Sequence, residues 1–501
     1  MKALAPDFHP YVWAAPSDEV ARLAGIDESQ VLRFDQNTPP LPLASTRPGT
    51  IAGALARVSG YPAGGYRDLR RAIADYAGCD PANVVLGAGA DDLILLCARA
   101  WDTVALPAAP TYPLYRIAAQ LAGAEIGDGG VTFECSPNNP TGELRPLPEA
   151  RPLVVDEAYF EYSGVTAFGE PDVVVLRTFS KLFGLAGARV GYALAPVEIA
   201  EELNRRQAPA PVSTLSASLA IAALAERPDP APEIEERERL AAALRALGLA
   251  PLESYTNFLY VPVEDGLSLG DALLRQGIVV RAYPDAIRAS VRDAVDDDVL
   301  VEALARLLDR PAPVAPAGGR SARTLRATAE TRFAVRLALD GASRVRVATG
   351  GGLYDHFLEQ LAFHGGFDLV LEGVGDAETG DHHTAEDAAL AFGQALDAAL
   401  GDRRGIARYG DAVVPMDDAL ARAGFDLGGR PHAELQLELD PGMAGHMLSS
   451  LAQSARAAIH VQASGRDAHH VAEAAFKAVG RALRVATRPE GAGVPSTKGL
   501  L

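Results

Sequence analysis

The sequence predicts an α/β architecture in two parts: a large, mostly parallel sheet covered by helices and carrying a small α+β lobe, then an α+β domain made of a duplicated half. Three observations predict it. Apolar runs such as Leu153-Val154-Val155 and Val173-Val174-Val175-Leu176 alternate with helical segments rich in Ala, Leu and Arg, for example Ile234 to Leu249. Unbroken apolar strands between helices belong to a sheet buried on both faces. Next, Arg310-Pro-Ala-Pro-Val-Ala-Pro-Ala-Gly-Gly319 has no apolar periodicity and reads as a semi-rigid tether. Beyond it the chain repeats itself. His356-Phe-Leu-Glu-Gln-Leu361 is followed 26 residues on by His382-His383-Thr-Ala-Glu386, and His446-Met-Leu-Ser-Ser-Leu451 is followed 23 residues on by His469-His470-Val-Ala-Glu473. The same order twice marks a duplication with pseudo-twofold symmetry.

Taken in order, residues 1–310 form the first domain, with a small lobe at about 251–308. In that lobe Asn257-Phe-Leu-Tyr-Val261 and Gly277-Ile-Val-Val-Arg281 read as strands and Val299 to Leu308 as a closing helix. Residues 311–322 are the linker and 323–501 the second domain. A length of 501 suits about three folding units with ample cores. The balance of 46 Lys plus Arg against 65 Asp plus Glu, net −19, offers no basic footprint for nucleic acid or an anionic membrane. No apolar run reaches the roughly 18 residues of a spanning helix, and the opening MKALAPDFHPYVW lacks a signal-peptide pattern, so a cytoplasmic protein is expected. Cys79, Cys97 and Cys135 are too few and scattered for a disulfide framework.

Two residue types are unevenly used. Only four of the 46 basic side chains are lysines, at 2, 181, 477 and 498; a chain that writes its surface cations as Arg keeps Lys where an amine is needed. His9 stands alone in the first 355 residues, whereas nine histidines crowd the remainder, pointing to a metal or proton-transfer site.

Around Lys181 four features lie in a row: Ser136-Pro-Asn-Asn-Pro-Thr-Gly142, Asp156-Glu-Ala-Tyr159, Thr178-Phe-Ser-Lys181 and Gly187-Ala-Arg189. A strand that ends in Asp156 puts a carboxylate into the crevice at the carboxyl edge of the sheet. A lysine there can form a Schiff base while the carboxylate keeps a pyridine nitrogen protonated, which is pyridoxal phosphate chemistry. With Pro110-Thr-Tyr112, the series SPNNPTG, DEAY and TFSKLFGLAGARVGY resembles fold-type I pyridoxal-phosphate-dependent aminotransferases, most closely histidinol-phosphate aminotransferase, over roughly residues 10–308. The resemblance implies that Lys181 carries the cofactor and shuttles protons, that Asp156 pairs with the ring nitrogen, that Asn139 and Tyr159 hold the ring hydroxyl and that Tyr112 stacks on the ring. Arg189, Thr178 and the turn Gly89-Ala90-Asp91 are implied as the phosphate site, with Tyr61 reaching the partner subunit's cofactor in a homodimer. Arg281 and Arg288 are implied to clamp the substrate. The chain is shorter than the family pattern between Tyr115 and Ser136 and between Gly142 and Asp156, so a helix of the large domain is expected to be missing.

In the second domain, positions i and i+4 of a helix share a face, so His382 with Glu386, and His469 with Glu473, can each chelate one ion. The second histidine of each doublet points elsewhere and can complete a site in the symmetry-related motif. Nitrogen and oxygen ligands without thiolate favour Mn, Fe or Zn. The segments GDHHTAEDAALAFGQAL, GDRRGIARYG, PMDDALAR, GRPH, HHVAEAAFKA and PSTKGLL resemble imidazoleglycerol-phosphate dehydratase over almost all of 323–501. The resemblance implies two Mn2+ ions, one held by His356, His383, His469 and Glu473 and the other by His382, Glu386, His446 and His470. It also implies Glu330 as acid/base, and Arg408, Arg430, Ser496 and Lys498, with Lys477 nearby, as contacts of the substrate phosphate.

The two resemblances name consecutive steps. Dehydration of imidazoleglycerol phosphate gives imidazole acetol phosphate, which the aminotransferase converts with glutamate, so a bifunctional, multifunctional-type histidine-biosynthesis enzyme is expected, a lyase fused to a transferase. Its oligomer would combine an aminotransferase dimer with a trimer-based dehydratase shell. The alternatives are a pyridoxal-phosphate-dependent lyase or another aminotransferase, fused to a metal-dependent dehydratase or an assembly scaffold.

Overall fold

The computed structural model describes residues 5–39, 48–311, 313, 320–328, 330–341, 343–375, 381–491 and 493–496. The chain divides into two compact units, Met1–Pro313 and Val314–Leu501. Most of the proposed tether, residues 312 and 314–319, lies outside the described residues. The tether is shorter than the 311–322 read from the sequence, because Ser321 already opens a strand, Ser321–Ala327, of the second unit.

In the first unit a seven-stranded sheet runs in the order Val84–Gly87, Gly191–Leu194, Val173–Thr178, Leu153–Asp156, Val131–Cys135, Thr103–Ala105, Glu125–Ile126. Gly191–Leu194 is antiparallel to both neighbours, and the strands from Val173–Thr178 outward are parallel. Leu153–Asp156 and Val173–Thr178 are buried at every position, which is why the runs Leu153–Val155 and Val173–Leu176 are continuously apolar rather than alternating. The helix expected to be missing is absent: Glu125–Ile126 passes to Val131–Cys135 through four residues, and Val131–Cys135 to Leu153–Asp156 through helix-free chain.

The small lobe is larger than residues 251–308. Its antiparallel sheet takes Arg281–Tyr283, Ala286–Ser290 and Phe258–Pro262 in that order, so the run Gly277 to Arg281 is split between two sheets: Ile278–Val279 instead pairs with Leu32–Arg33. Leu32 and Phe34 from the N-terminal segment, and Leu240, Ala241 and Leu244 from the helix Ala231–Ala246, share one core with Leu300 and Leu304. An apolar helix face does not state which sheet it will cover, so the sequence left that helix with the large sheet.

The second unit is built twice over. Each half reads strand, strand, strand, helix, strand, helix, and each forms a four-stranded sheet of matching order: Ser321–Ala327, Thr331–Ala338, Asp368–Gly375, Val345–Ala348 in one, Tyr409–Met416, Ala419–Asp426, Ala458–Ser464, His432–Leu437 in the other. In both, the last strand of the order runs parallel to its neighbour and the other pairings are antiparallel. Alternating burial, as in Thr331–Ala338 and Ala458–Ser464, turns one face of each sheet to a shared core filled by Gly352–Gly365, His382–Leu400, Ala444–Ser454 and Ala468–Ala486. No described helix is long and apolar enough to cross a membrane. Phe392, fully buried in this core, is expected on replacement by Ala to remove about 3–5 kcal/mol from the second unit. Calorimetry of the full chain should show the lower transition for that unit, with the first unit's transition unmoved.

Candidate active sites

In the first unit the side chains converge on the carboxyl edge of the sheet. Asp156 ends its strand and is buried; its Oδ2 accepts from the Tyr115 hydroxyl at 2.7 Å and its Oδ1 from the Ala158 N–H at 3.0 Å. Burial pushes its carboxyl up to about 6, and the Tyr115 hydrogen bond opposes that rise. Lys181 lies in the turn after Val173–Thr178, its Nζ 5.5 Å from the Tyr159 ring. Loss of solvent, reinforced by the Arg288 charge, lowers its amine to about 8.

Tyr159 is fixed from the small lobe: its hydroxyl accepts from Asn37 Nδ2 at 2.8 Å, while Asn37 Oδ1 accepts from the Ser290 hydroxyl at 2.8 Å. Asn139 Oδ1 accepts from Arg288 at 2.6 Å, and Arg288 also donates to the Asp35 carbonyl at 2.7 Å. Arg281 sits directly opposite Arg288 across the hairpin and donates to the Val12 carbonyl at 3.2 Å. Two guanidinium groups paired across strands repel, a cost that an anionic ligand offsets.

At the other end, the helix Ala90–Ala100 starts at Gly89, whose φ is 86°. A Cβ at Gly89 would meet Arg189 at 2.6 Å, and one at Gly191 would meet Gly89 carbon at 2.9 Å, so glycines let the backbone and the guanidinium close into a cup. Arg189 donates to Asp91 at 3.0 Å, Tyr112 to Asp91 at 3.2 Å, and Thr178 to the Ser180 hydroxyl at 2.8 Å. N–H groups at a helix start, an Arg and hydroxyls form an anion site, while a buried carboxylate and an amine stand deeper in the crevice; this donor set fits pyridoxal phosphate. Tyr61 does not join it; the side chain is 93% exposed within one chain.

In the second unit the structure brings six of the eight histidines and glutamates expected as ligands into two triads: His356, His469 and Glu473, and His382, Glu386 and His446. Glu473 oxygens lie 3.5 Å from His356 Nε2 and 3.4 Å from His469 Nε2; Glu386 oxygens lie 3.6 Å from His382 Nε2 and 3.4 Å from His446 Nε2. Ligand atoms at that spacing surround a point reached by bonds of about 2.1 Å, so both triads fit a divalent ion. His383 and His470 belong to neither triad within one chain, because adjacent residues on a helix diverge by about 100°. His383 Nδ1 lies 3.5 Å from Glu330, and His470 Nδ1 lies 2.6 Å from Asp418. That hydrogen bond raises the His470 imidazole above its usual value and holds Asp418 down at about 2. Burial alone would raise Glu473, but Lys477, 2.9 Å away, keeps it below the usual range.

Arg408 donates to Asp426 at 2.7 Å and to the Pro495 carbonyl at 3.0 Å, next to Ser496. Arg430 is exposed, and Lys498 lies outside the described residues. Sequence reasoning missed Asn37, Tyr115 and Asp418 as site residues. Asp418 lies inside the segment PMDDALAR; Tyr115 stands three residues beyond the Pro110-Thr-Tyr112 motif, and Asn37 carried no signal.

Comparison with known proteins separates along the same division. Residues 29–128 and 129–307 match the aminotransferase class I and II family, and residues 349–483 match imidazoleglycerol-phosphate dehydratase. Over 201 residues the chain is 50% identical to an imidazoleglycerol-phosphate dehydratase of Salinispora tropica, covering 36% of this chain and 99% of that protein. Over 190 residues it is 50% identical to the one of Methanothermobacter thermautotrophicus, covering 36% and 97%. The crystal structure of histidinol-phosphate aminotransferase from Sinorhizobium meliloti, in complex with pyridoxal-5'-phosphate, aligns with a TM-score of 0.53 at 26% identity, covering 61% of this chain and 98% of that one. The fold and the lysine crevice thus define a fold-type I aminotransferase, joined to a second enzyme unit with paired His/His/Glu triads. The chain belongs to two families, the class I and II aminotransferases and, through its second unit, the imidazoleglycerol-phosphate dehydratases.

With its amine at about 8, Lys181 is largely neutral above that pH and protonated below it. Capture of pyridoxal phosphate by the apoprotein, followed by absorbance, is therefore expected to speed up with pH and level off above about 8 rather than near the value of an exposed lysine. Lys181→Ala should abolish covalent capture at every pH.

Proposed function

We propose that the chain is a bifunctional enzyme of histidine biosynthesis. The second unit dehydrates imidazoleglycerol phosphate to imidazole acetol phosphate, and the first transaminates that ketone with glutamate to histidinol phosphate and 2-oxoglutarate. The observation that carries this reading is the presence in one chain of the Lys181–Asp156 crevice and of two His/His/Glu triads. The keto product of one unit is the amino acceptor of the other.

We assign residues 1–310 to the aminotransferase, 311–322 to a linker whose last residues enter the next domain, and 323–501 to the dehydratase. The metal is taken as Mn2+, with other divalent ions able to replace it, and the location as the cytoplasm. Tyr61, exposed in one chain, is assigned to the cofactor phosphate of a second copy in a homodimer. His383 and His470, outside the triads of their own chain, are assigned to the metal sites of neighbouring copies in a trimer-based shell.

Bound pyridoxal phosphate supplies the electron sink for transamination. Asp156 holds the ring nitrogen, Tyr159 and Asn139 the ring hydroxyl, Tyr112 the ring face, and Gly89, Ala90, Asp91, Thr178 and Arg189 the phosphate. Arg281 and Arg288 bind the carboxylate of glutamate and, in the other half-reaction, the phosphate of the ketone. Lys181, its amine lowered to about 8 and neutral above that pH, takes the proton from the substrate Cα and returns it one atom away. In the dehydratase, divalent ions held by His356, His469 and Glu473 and by His382, Glu386 and His446 would supply Lewis acidity toward the imidazole of the substrate. Glu330 moves the proton at the neighbouring carbon, and Arg408, Arg430, Ser496, Lys498 and Lys477 hold the substrate phosphate. The helix-free connections of the large sheet favour one second reading, a pyridoxal-phosphate-dependent lyase that forms a keto acid without an amino donor.

One reaction mixture tests the proposal: protein, imidazoleglycerol phosphate, glutamate, Mn2+ and pyridoxal phosphate, with histidinol phosphate followed by mass. Product is expected, and it should vanish on omitting glutamate or on chelating the metal. Chelation should leave conversion of added imidazole acetol phosphate intact. Replacing His382 by Ala should slow dehydration by at least about 100-fold with transamination unchanged. A keto-acid product formed without glutamate, with no histidinol phosphate, would favour the lyase.

A further inference from the structure

Asp156 has two oxygens and both are engaged by this chain's own atoms, one by the Ala158 amide and the other by the Tyr115 phenol. The amide is backbone and comes with the turn. The phenol is a choice of side chain. Tyr115 is 1% exposed, packed between Tyr112 and Phe133, with ring centroids at 6.0 and 5.7 Å, and with the Cys135 thiol beside its hydroxyl. A phenylalanine would fill that volume equally well, yet a hydroxyl buried without a partner is costly, so the 2.7 Å bond to Asp156 accounts for the tyrosine. Burial and the neighbouring Asp156 carboxylate raise the phenol well above its ordinary value, so it remains a donor over the whole working range.

Resting on the reading that this crevice binds pyridoxal phosphate, we propose that Tyr115 is a positioning residue for the ring nitrogen. Its hydroxyl fixes the rotation of the Asp156 carboxylate, so that a lone pair of the anion faces the crevice. The helix start at Leu114–Ala122 thereby serves the cofactor twice, with Tyr112 on the ring face and Tyr115 behind the ring's ionic partner. Besides Tyr115, the titratable groups around Asp156 include Lys181, Asp91, Cys135, Tyr112 and Tyr159. Among the described residues the side-chain hydrogen bond to Asp156 comes from Tyr115, so the phenol sets the orientation of the carboxylate.

The test compares two ligands on full-length apoprotein: pyridoxal phosphate and its 1-deaza analogue, in which a carbon replaces the ring nitrogen. Tyr115→Phe is expected to weaken pyridoxal phosphate by about tenfold and to leave the analogue's affinity unchanged. It should also move the pH midpoint of the bound cofactor's absorbance. In an Asp156→Asn background the same substitution should have no further effect, which keeps the test informative if the single variant folds poorly. Equal weakening of both ligands, or of neither, overturns the proposal while leaving the cofactor assignment standing. Failure of the wild-type chain to bind pyridoxal phosphate overturns the cofactor assignment as well.

Discussion

A buried carboxylate that must stay charged constrains both halves of this protein. Asp156 at the end of a sheet strand and Glu473 one helical turn into its helix are held close to histidine, phenol, amide or ammonium groups rather than water. An isolated carboxylate in such places would protonate. The polypeptide supplies part of the compensation: Tyr115 and Ala158 for Asp156, Lys477 for Glu473. In the proposed function a cation completes it, a protonated ring nitrogen in one unit and a divalent metal ion in the other. The folds exist to place those acids at element ends, where the backbone has finished its own hydrogen bonding and side chains can converge.

The two units solve the convergence problem differently. In the first, the ligand site is assembled from distant chain segments around a sheet edge, and the small lobe reaches across through Asn37 and Arg288. In the second, a helix carries a His/Glu pair at i, i+4 and a helix of the other half brings the third residue: His446 joins His382 and Glu386, and His356 joins His469 and Glu473. Each triad therefore mixes the two copies of the duplicated half. Duplication makes the pair of sites in one event, since whatever places a histidine in one half places its equivalent in the other.

What could be read in advance follows from how local each signal is. Lys181, Asp156 and the two chelating pairs were legible because strand ends and helical spacing translate directly into geometry. The duplicated half was legible for the same reason, its order of helix and doublet recurring in the chain. The bond from Asn37 to Tyr159 spans 122 residues, and that from Asp418 to His470 spans 52; no local pattern announces either. The lobe boundary failed on chemistry of another kind. Ala231–Ala246 is an apolar-faced helix, and only the packed core reveals that Leu240 and Leu244 sit with Leu300 and Leu304. The lost helix of the large sheet, by contrast, was visible as missing length.

The central claim is that one chain carries two independent cofactor sites. It is tested most directly by the content of the purified full-length protein after reconstitution, pyridoxal phosphate by absorbance and divalent metal by elemental analysis. Pyridoxal phosphate and two metal ions per chain are expected, with Lys181→Ala losing only the covalent cofactor and a His382→Ala, His469→Ala double variant losing only the metal. Metal binding that disappears with Lys181, or pyridoxal phosphate that disappears with the histidines, would contradict it.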